Sequence, residues 1–492
     1  MQRIDSARRD ALFDIAATRR LEQAAAATLA PHTLMQRAGL AAARLAMALA
    51  PHARTIWIAC GPGNNGGDGF EAAAQLRQRG FRPVVTRLDN DDARLPADAR
   101  ASLERARAAG VEFADEPPPR CDLALDALLG IGAARAPSGR MADWLVRMHA
   151  GPAPVLSIDT PSSLDADRGV LGFDFLTAND AAAGLPRHCL SLLTLKPGLF
   201  TAQGRDAAGQ VWFDDLGVDA GAETPAARLS GAPPAAVRWQ ASHKGSYGDV
   251  AVIGGAPGMA GAMLLAGTAA LCAGAGRVYL APLDASLAAL DPMRPELMFR
   301  TPESLALDAM TVVCGCGGDS LVAAQLPRVI AQAKALVLDA DALNAVARDA
   351  QLQALLEARG RAERTTVLTP HPLEASRLLG RSTAALQADR LHAAREIAAR
   401  FGAVAVLKGS GSVIADPQGV PLVNGSGNAR LATAGTGDVL AGMVGAALAA
   451  GRPAREAAAE AVWRHGDLAD RWPADAPLTA GALAQGRLPA CG

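Results

Sequence analysis

Aromatic side chains are scarce in this 492-residue chain, at 4%, with only two tyrosines and six tryptophans. Alanine and glycine take their place, so the interior must be built from small side chains and closely approaching helices. An excess of positive charge is also missing. The formal net charge is −1, which argues against a nucleic-acid or membrane-surface protein, whose electrostatic footprint would be basic. Small anionic ligands stay open, because they need only a local positive site. The seven cysteines are odd in number and show no disulfide-like spacing. Cys314-Gly-Cys316 is the one close pair, and a zinc site would want a second pair and nearby histidines. Reduced thiols in a cytoplasmic protein are expected. Met1–Asp5 is charged and has no apolar core, so no signal peptide is expected. Residues 250–276 carry no charge and could span a bilayer by length. They contain Pro257 and many small residues, and they open on Val250-Ala251-Val252-Ile253. A strand, a glycine turn and a buried helix are expected there.

What is present is an alternation of apolar runs and helical stretches. Residues 12–50 are Ala/Leu-rich at helical spacing. Strand-like runs follow at 55–60, 84–86, 123–125, 155–158 and 190–195, with helices expected at 70–79 and 97–109. Residues 217–240 lose the periodicity and read as linker-like. A second alternation then begins, with strands expected at 250–253, 277–281, 311–314, 335–338, 366–368 and 403–407. Helices fit 321–333, 373–379, 385–400 and 437–450. This pattern predicts two domains, each with a parallel sheet flanked by helices. The expected boundaries are 1–224 and 241–492, joined by a linker at 225–240. Ligands in such sheets bind at the carboxyl ends of strands.

In the second half, Ala434-Gly435-Thr436-Gly437-Asp438-Val439-Leu440 combines two glycines, a helix start and a carboxylate. The glycines let backbone approach a ligand, and free N–H groups at the helix start suit phosphate. An acid at such a mouth either abstracts a proton or caps the helix. In the first half, Gly61-Pro62-Gly63-Asn64-Asn65-Gly66-Gly67-Asp68-Gly69 is a second glycine-acid motif, suited to a pyrophosphate or to a plain turn. Asp126 and Asp159 stand at strand ends. Asn65, Asp126 and Ser162 offer only oxygen ligands, a set that suits a hard cation and leaves Asp159 free for chemistry. Alternatively, both acids cap helices or bind loop amides.

These first-half motifs resemble the N-terminal domain of the YjeF family, the NAD(P)H-hydrate epimerases, over roughly residues 10–218. The resemblance is carried by Leu34-Met35-Gln36-Arg37-Ala38-Gly39, the Asn64–Gly69 motif, Asp126-Ala-Leu-Leu-Gly-Ile-Gly132, Ile158-Asp159-Thr160-Pro161-Ser162 and Thr194-Leu195-Lys196-Pro197-Gly198. It implies a Rossmann-like three-layer fold and K⁺ bound by Asn65, Asp126 and Ser162. It implies substrate contacts from Asn64, Asn65, Gly66, Gly67 and Asp68. Gly130, Ile131, Gly132, Ala133, Ala134, Arg135 and Ala136 would add to them, with Asp159 as the acid/base. The chain departs from the family where Gln36 and Arg37 stand for the usual Glu and Asn, and where Ser163 stands for a glycine.

In the second half, His243–Gly248, Gly254–Ala262, Gly315-Cys316-Gly317-Gly318, Asp339-Ala-Asp341-Ala-Leu-Asn344, Thr369–Glu374, Leu407–Ser412 and the Gly435–Asp438 loop occur in order. Together they resemble the C-terminal YjeF domain, the ADP-dependent NAD(P)H-hydrate dehydratase, over roughly 238–488. Here Asp319 replaces a usual glycine. The resemblance implies a ribokinase-like α/β domain. Lys408, Gly409, Ser410, Gly411, Ser412 and Gly437 would contact the nucleotide. Ala262, Gly317 and His371 would contact the hydrated cofactor, and Asp438 would be the catalytic base. The expected fold is therefore α/β, a Rossmann-like domain followed by a ribokinase-like domain. The implied function is bifunctional repair of NADHX and NADPHX, with ADP as co-substrate and Mg²⁺ in the dehydratase. The expected chain is a homo-oligomer that binds neither nucleic acid nor membrane. The alternative is a ribokinase-like small-molecule kinase with a non-catalytic N-terminal nucleotide-binding module.

Overall fold

The computed structural model describes residues 1–89, 91–132, 136–176, 186–221, 223–235, 238–287, 290–486 and 488. The chain divides into two compact units, Met1–Asp5 with Asp10–Ala227, and Ser6–Arg9 with Arg228–Gly492.

The sheet of the first unit runs in the order Gln2–Arg3, Gln210–Asp214, Arg187–Leu192, Val155–Ile158, Leu123–Ala127, Thr55–Cys60, Arg82–Arg87, Glu112–Ala114. Every neighbouring pair is parallel except the first. Chain order reverses between Thr55–Cys60 and Leu123–Ala127. That reversal opens a crevice at their carboxyl ends, where ligands bind in such sheets. The central strands are buried on both faces, as continuous apolar runs such as Thr55-Ile-Trp-Ile-Ala-Cys60 require.

Helix Asn64–Gln78 starts six residues before the expected helix at 70–79. Glycine is a poor helix former, but here its lack of a Cβ decides the packing. A Cβ on Gly66 would overlap the Gly61 carbonyl oxygen. One on Gly67 would meet Met35 and the Ala99 backbone, and one on Gly69 would lie 2.7 Å from the Ala127 Cβ. The glycine motif is thus the first two turns of a helix pressed onto the sheet. Helices Thr33–Leu49 and Ala97–Ala108 flank it.

The sheet of the second unit runs Met298–Phe299, Arg277–Pro282, Asp249–Gly254, Thr311–Cys314, Ala335–Leu338, Thr366–Leu368, Val404–Leu407, Val413–Ala415, Leu422–Val423, Ala227–Leu229. It is parallel through Val404–Leu407, then antiparallel across the next two pairings. Strand Ala227–Leu229 lies inside the stretch expected as a linker, and its Arg228 and Leu229 pair parallel with Leu422 and Val423. Chain order reverses between Asp249–Gly254 and Thr311–Cys314, so a second crevice opens beside Gly254 and Gly315. The expected helix at 385–400 is two helices, Thr383–Gln387 and Arg390–Phe401, because Asp389 caps the second through His392 N at 3.0 Å. The uncharged stretch 250–276 forms a strand and the helix Ala260–Cys272. No helix among the described residues is long and apolar enough to cross a membrane.

Helix Thr436–Ala449 is buried almost all round, packed between Ala260–Cys272 and the sheet. A Cβ on Gly442 would overlap the Ala266 carbonyl oxygen, and one on Gly445 would lie 2.5 Å from Val313 Cγ2. Gly442→Leu should therefore force these helices apart and cost about 2 kcal/mol or more. Urea unfolding of the two proteins reads this, and an unchanged midpoint for the second unit would refute it.

Candidate active sites

In the first unit, three strand ends converge on one cavity of about 560 Å³. Its wall includes Asn64, Asn65 and Asp68 from the first turns of helix Asn64–Gln78, Gly130–Gly132 from the loop after Leu123–Ala127, and Asp159. Thr18, Arg19 and Glu22 reach it from helix Ile15–Ala26. Asp159 follows its strand in left-handed backbone at φ 70°. Its Oδ1 accepts from Lys196 Nζ at 2.5 Å. That lysine is fully buried and also donates to Leu192 O at 2.7 Å and Ser191 Oγ at 3.3 Å. A buried ammonium has three protons to satisfy, and this one has three acceptors. Lys196 is a site residue that sequence spacing did not single out, because its partner lies 37 positions away.

Asp126 ends inside strand Leu123–Ala127 rather than beyond it, and is fully buried. Its carboxylate accepts from Ser162 Oγ at 2.6 Å, Ser162 N at 2.8 Å and Leu128 N at 3.2 Å. Burial pushes its pKa up against these donors. Asn65 is about nine-tenths buried, yet neither its Oδ1 nor its Nδ2 has a hydrogen-bond partner among the described residues. Buried side-chain amides are nearly always satisfied, so both atoms await a ligand. Gly130 sits where a Cβ would stand 3.3 Å from Asp159 Oδ2 and 3.4 Å from Asn65 Cγ, which joins these two residues and the loop in one place.

Two further carboxyls face the cavity. Burial, then the Asp159 carboxylate, raises the Glu22 pKa, and the same causes raise Asp68 well above its usual value. Glu22 was not expected from sequence, since it lies on a helix 39 positions before the first glycine motif begins. Of the expected contacts, Ile131 lines the cavity, as do Asn64 and Gly132. Gly66 and Gly67 face helices and backbone instead. Ala136 is not on the cavity wall, and a Cβ on Gly172 would stand 3.6 Å from its own Cβ. Ala133, Ala134 and Arg135 lie outside the described residues.

The departures from the family pattern have visible accommodations. Arg37 is not on the wall, and its Nη1 donates to the Leu216 carbonyl at 2.5 Å. Ser163 stands at φ 84°, a conformation that suits the usual glycine. Its hydroxyl offsets that strain by donating to Phe173 O at 3.0 Å and accepting from Phe173 N at 2.5 Å. Asp319 likewise has φ 45°, and its N donates to Asp341 Oδ2 at 2.9 Å.

In the second unit, strand ends bring Asp339, Lys408, Cys316 and Asp438 together. Lys408 Nζ donates to Asp339 Oδ1 at 2.6 Å, and a Cβ on Gly437 would stand 3.2 Å from that Nζ. Ligand atoms of Cys316, Asp339 and Asp438 lie within 4.8 Å of one another. Burial, then the Asp339 carboxylate, pushes the Asp438 carboxyl up to about 7. Lys408 stays charged, because Asp339, Glu374 and Asp438 outweigh the effect of its burial. Asp438 lies in the first turn of helix Thr436–Ala449, where a negative charge meets the positive end of the helix dipole. His465, neutral because burial lowers it to about 4, donates from Nε2 to the Thr436 carbonyl at 2.9 Å and steadies that turn.

Gly317 and Ala262 adjoin. A Cβ on Gly317, at φ 59°, would stand 3.0 Å from the Ala262 Cβ, and Ala256 N donates to Gly317 O at 2.8 Å. The Lys408–Ser412 loop is anchored by Lys408 N to Pro370 O at 2.9 Å and by Asn424 N to Ser412 O at 2.9 Å. Gly409 and Ser410 are exposed, and Gly411 is buried at φ 62°. His371 caps its own helix, accepting at Nδ1 from Leu373 N and Glu374 N, and pairs through Nε2 with Glu374 Oε1 at 3.1 Å. Arg390, buried behind the loop, donates to the Leu407 and Lys408 carbonyls at 3.2 Å. A separate cavity of about 680 Å³, lined by Arg238, Tyr247, Cys272 and Glu460 among others, contains none of the expected site residues.

Comparison with known proteins places both halves. The YjeF-related protein N-terminus profile matches residues 31–198, and the NAD(P)H-hydrate dehydratase profile matches 250–486. The chain is 37% identical over 456 residues to the bifunctional NAD(P)H-hydrate repair enzyme of Escherichia coli K12, covering 89% of this chain and 85% of that one. It is 45% identical over 254 residues to the ADP-dependent (S)-NAD(P)H-hydrate dehydratase of Neisseria meningitidis, covering 50% of this chain and 84% of that one. A solved ADP/ATP-dependent NAD(P)H-hydrate dehydratase from Bacillus subtilis, crystallised with ATP/Mg²⁺, is 30% identical. The match covers 51% of this chain and 91% of that one, at a TM-score of 0.44.

Two measurements test the electrostatics. The folded Asp438 carboxyl binds its proton up to about 7, whereas the unfolded chain releases it near 3.8. Its contribution to stability is therefore lost as pH rises through that window. Asp438→Asn should flatten the fall in unfolding free energy between these pH values, and an unaltered slope would refute the shift. Lys196→Met leaves Asp159 without its counter-ion and should destabilise the first unit by about 3 kcal/mol in urea unfolding; a change below about 1 kcal/mol would mean that water compensates the carboxylate.

Proposed function

The chain belongs to the family of bifunctional NAD(P)H-hydrate repair enzymes, and from that footing we propose the roles its two sites play. The first unit interconverts the R and S hydrates of NADH and NADPH. The second dehydrates the S form at the expense of ADP. Joining the two is chemically apt, since one epimer alone is a dehydratase substrate and the other would accumulate.

In the first unit, Asp159 takes the proton of the substrate's 6-hydroxyl as the C6–N1 bond opens to leave an aldehyde at C6, and returns it to that oxygen when N1 closes on the other face. Lys196 holds that carboxylate in place. The donor set Asn65 Oδ1, Asp126 and Ser162 Oγ fits K⁺. All three are oxygens, and Asn65 Oδ1 is buried without a partner. The ion would supply charge against the buried Asp126 and orient Asn65.

The second unit carries the reading through one observation, a carboxyl at Asp438 pushed up to about 7 beside the Lys408–Asp339 ion pair. A base works best when its pKa lies near the operating pH. Asp438 removes the 6-hydroxyl proton, and the freed oxygen attacks the β-phosphoryl of ADP. The bond to the α-phosphate oxygen breaks and AMP leaves. Phosphate then departs from C6 while C5 gives up a proton, which restores the dihydronicotinamide. The N–H groups at the start of helix Thr436–Ala449 face the moving phosphoryl. Lys408 and the loop through Gly409, Ser410, Gly411 and Ser412 hold the nucleotide, with Gly437 beside them. Ala262 and Gly317 line the hydrated cofactor's side, and His371 stiffens the neighbouring loop. Mg²⁺ fits as a partner of the nucleotide phosphates and one carboxylate of this cluster. Cys316 does not, since burial raises its thiol pKa well above the usual value and a thiol is a soft ligand.

Absorbance in the dihydronicotinamide band tests both halves, with mixed epimers of NADHX, K⁺ and Mg²⁺, with and without ADP. ADP-dependent recovery beyond the S fraction, faster than spontaneous epimerisation, is expected. A stable phosphorylated product formed from ATP would favour an ordinary small-molecule kinase. Asp438→Asn should abolish recovery yet leave epimerisation intact, and Asp159→Asn should do the reverse. The dehydration rate of the parent protein should rise with pH through about 7. Loss of both activities in either variant would refute the assignment of separate bases.

A further inference from the structure

The wall of the first cavity has an imbalance of charge that its chemistry must resolve. Glu22, Asp68, Asp98 and Asp159 are all on it. Arg19 is the one cationic side chain among the described lining residues. Arg19 is exposed, and no ion pair or hydrogen bond engages it among the described residues, whereas its neighbour Arg20 is paired with Glu223. The Arg19 guanidinium overlies the Gly130–Gly132 loop, with Nη2 3.9 Å from where a Cβ on Gly132 would stand.

Two further features point to what this cation meets. Helix Asn64–Gln78 begins after Gly63 with no side-chain cap, so its first N–H groups lack the partner that a capping residue supplies. Asn65 is about nine-tenths buried and leaves two amide atoms unmatched on the same wall. A cation at Asn65 answers only its oxygen. Nδ2 is a donor and still needs an acceptor. A free guanidinium, an orphan amide donor and uncapped helix N–H groups all demand one kind of partner, an anionic oxygen.

We propose that Arg19 is the cationic contact of the dinucleotide's phosphates beside Asn65 Nδ2 and the start of helix Asn64–Gln78, a phosphate cradle to which, among the described lining residues, it alone brings a positive side chain. This rests on the reading of the first unit as the epimerase. Without Arg19, a substrate bearing at least the two charges of a pyrophosphate would enter a cavity lined by carboxyl groups. The pyrophosphate and the 2′-phosphate of NADPHX share this chemistry, and the test separates them.

Epimerisation of purified R-NADHX and R-NADPHX is measured with Arg19→Gln, Arg19→Lys and, as a control, Arg20→Gln. Arg19→Gln should raise KM by about tenfold or more with kcat little changed. Arg19→Lys should restore part of the loss, and Arg20→Gln should match the parent. The salt dependence of KM should weaken in Arg19→Gln. A rise for NADPHX alone places the 2′-phosphate at Arg19, and an equal rise for both places the pyrophosphate there. ADP-dependent dehydration of the S epimer should be unaffected, which verifies folding. An unchanged KM for both substrates overturns the cradle. Should the parent protein not epimerise at all, the epimerase reading fails separately. Equilibrium binding of NADPH and NADH with saturating ADP then decides the cradle, which falls if Arg19→Gln binds both as tightly as the parent.

Discussion

A lysine ammonium buried against a strand-end carboxylate recurs in both units, and much of each site depends on it. Taking both charges out of water is costly, and their attraction offsets that cost only with close contact and further hydrogen bonds. Lys196 meets the condition with Asp159, Ser191 and Leu192. Asp159 is thereby held aimed into the cavity on a residue whose backbone is left-handed. Lys408 meets it with Asp339, and the pair sets the electrostatic surroundings of Asp438. In the first unit the pair holds Asp159 in place, and in the second it sets the charge around Asp438.

Absent Cβ atoms are the second requirement. The sheet ends and the helices that answer them approach so closely that backbone oxygens occupy the space of a side chain. Gly61 faces Leu128, Gly66 faces Gly61, Gly254 faces Cys316 and Gly442 faces Ala266.

Strands buried on both faces were the most legible elements. Val155–Ile158, Thr311–Cys314, Ala335–Leu338 and Thr366–Leu368 match their apolar runs to the residue, because a short strand covered on both faces reads as an unbroken apolar stretch. The start of helix Asn64–Gln78 was not legible, because glycine's weak propensity hides a helix that tertiary packing imposes. Asp159 could be read from its place after a strand and Asp438 from its glycine loop, whereas Asp126 lies inside its strand. Arg19, Glu22 and Lys196 could not be paired with them, since each meets the site through the fold and not through spacing. Ser163 and Asp319 look like damage to a glycine pattern in one dimension. In three dimensions they retain the glycine-like backbone, supported by the Phe173 backbone and the Asp341 carboxylate.

Ser6–Arg9 belong to the second unit although their flanks belong to the first. Trp463 Nε1 donates to Ser6 O at 2.7 Å, Ala232 N to Ala7 O at 3.0 Å and Arg9 Nη2 to Ala232 O at 2.7 Å. The second unit is therefore discontinuous in the chain, with residues 10–227 standing between its two pieces. A contiguous stretch from Arg228 onward would lack these carbonyls and leave Trp463 Nε1 and Ala232 N without them, so the second unit needs both of its separate pieces of chain.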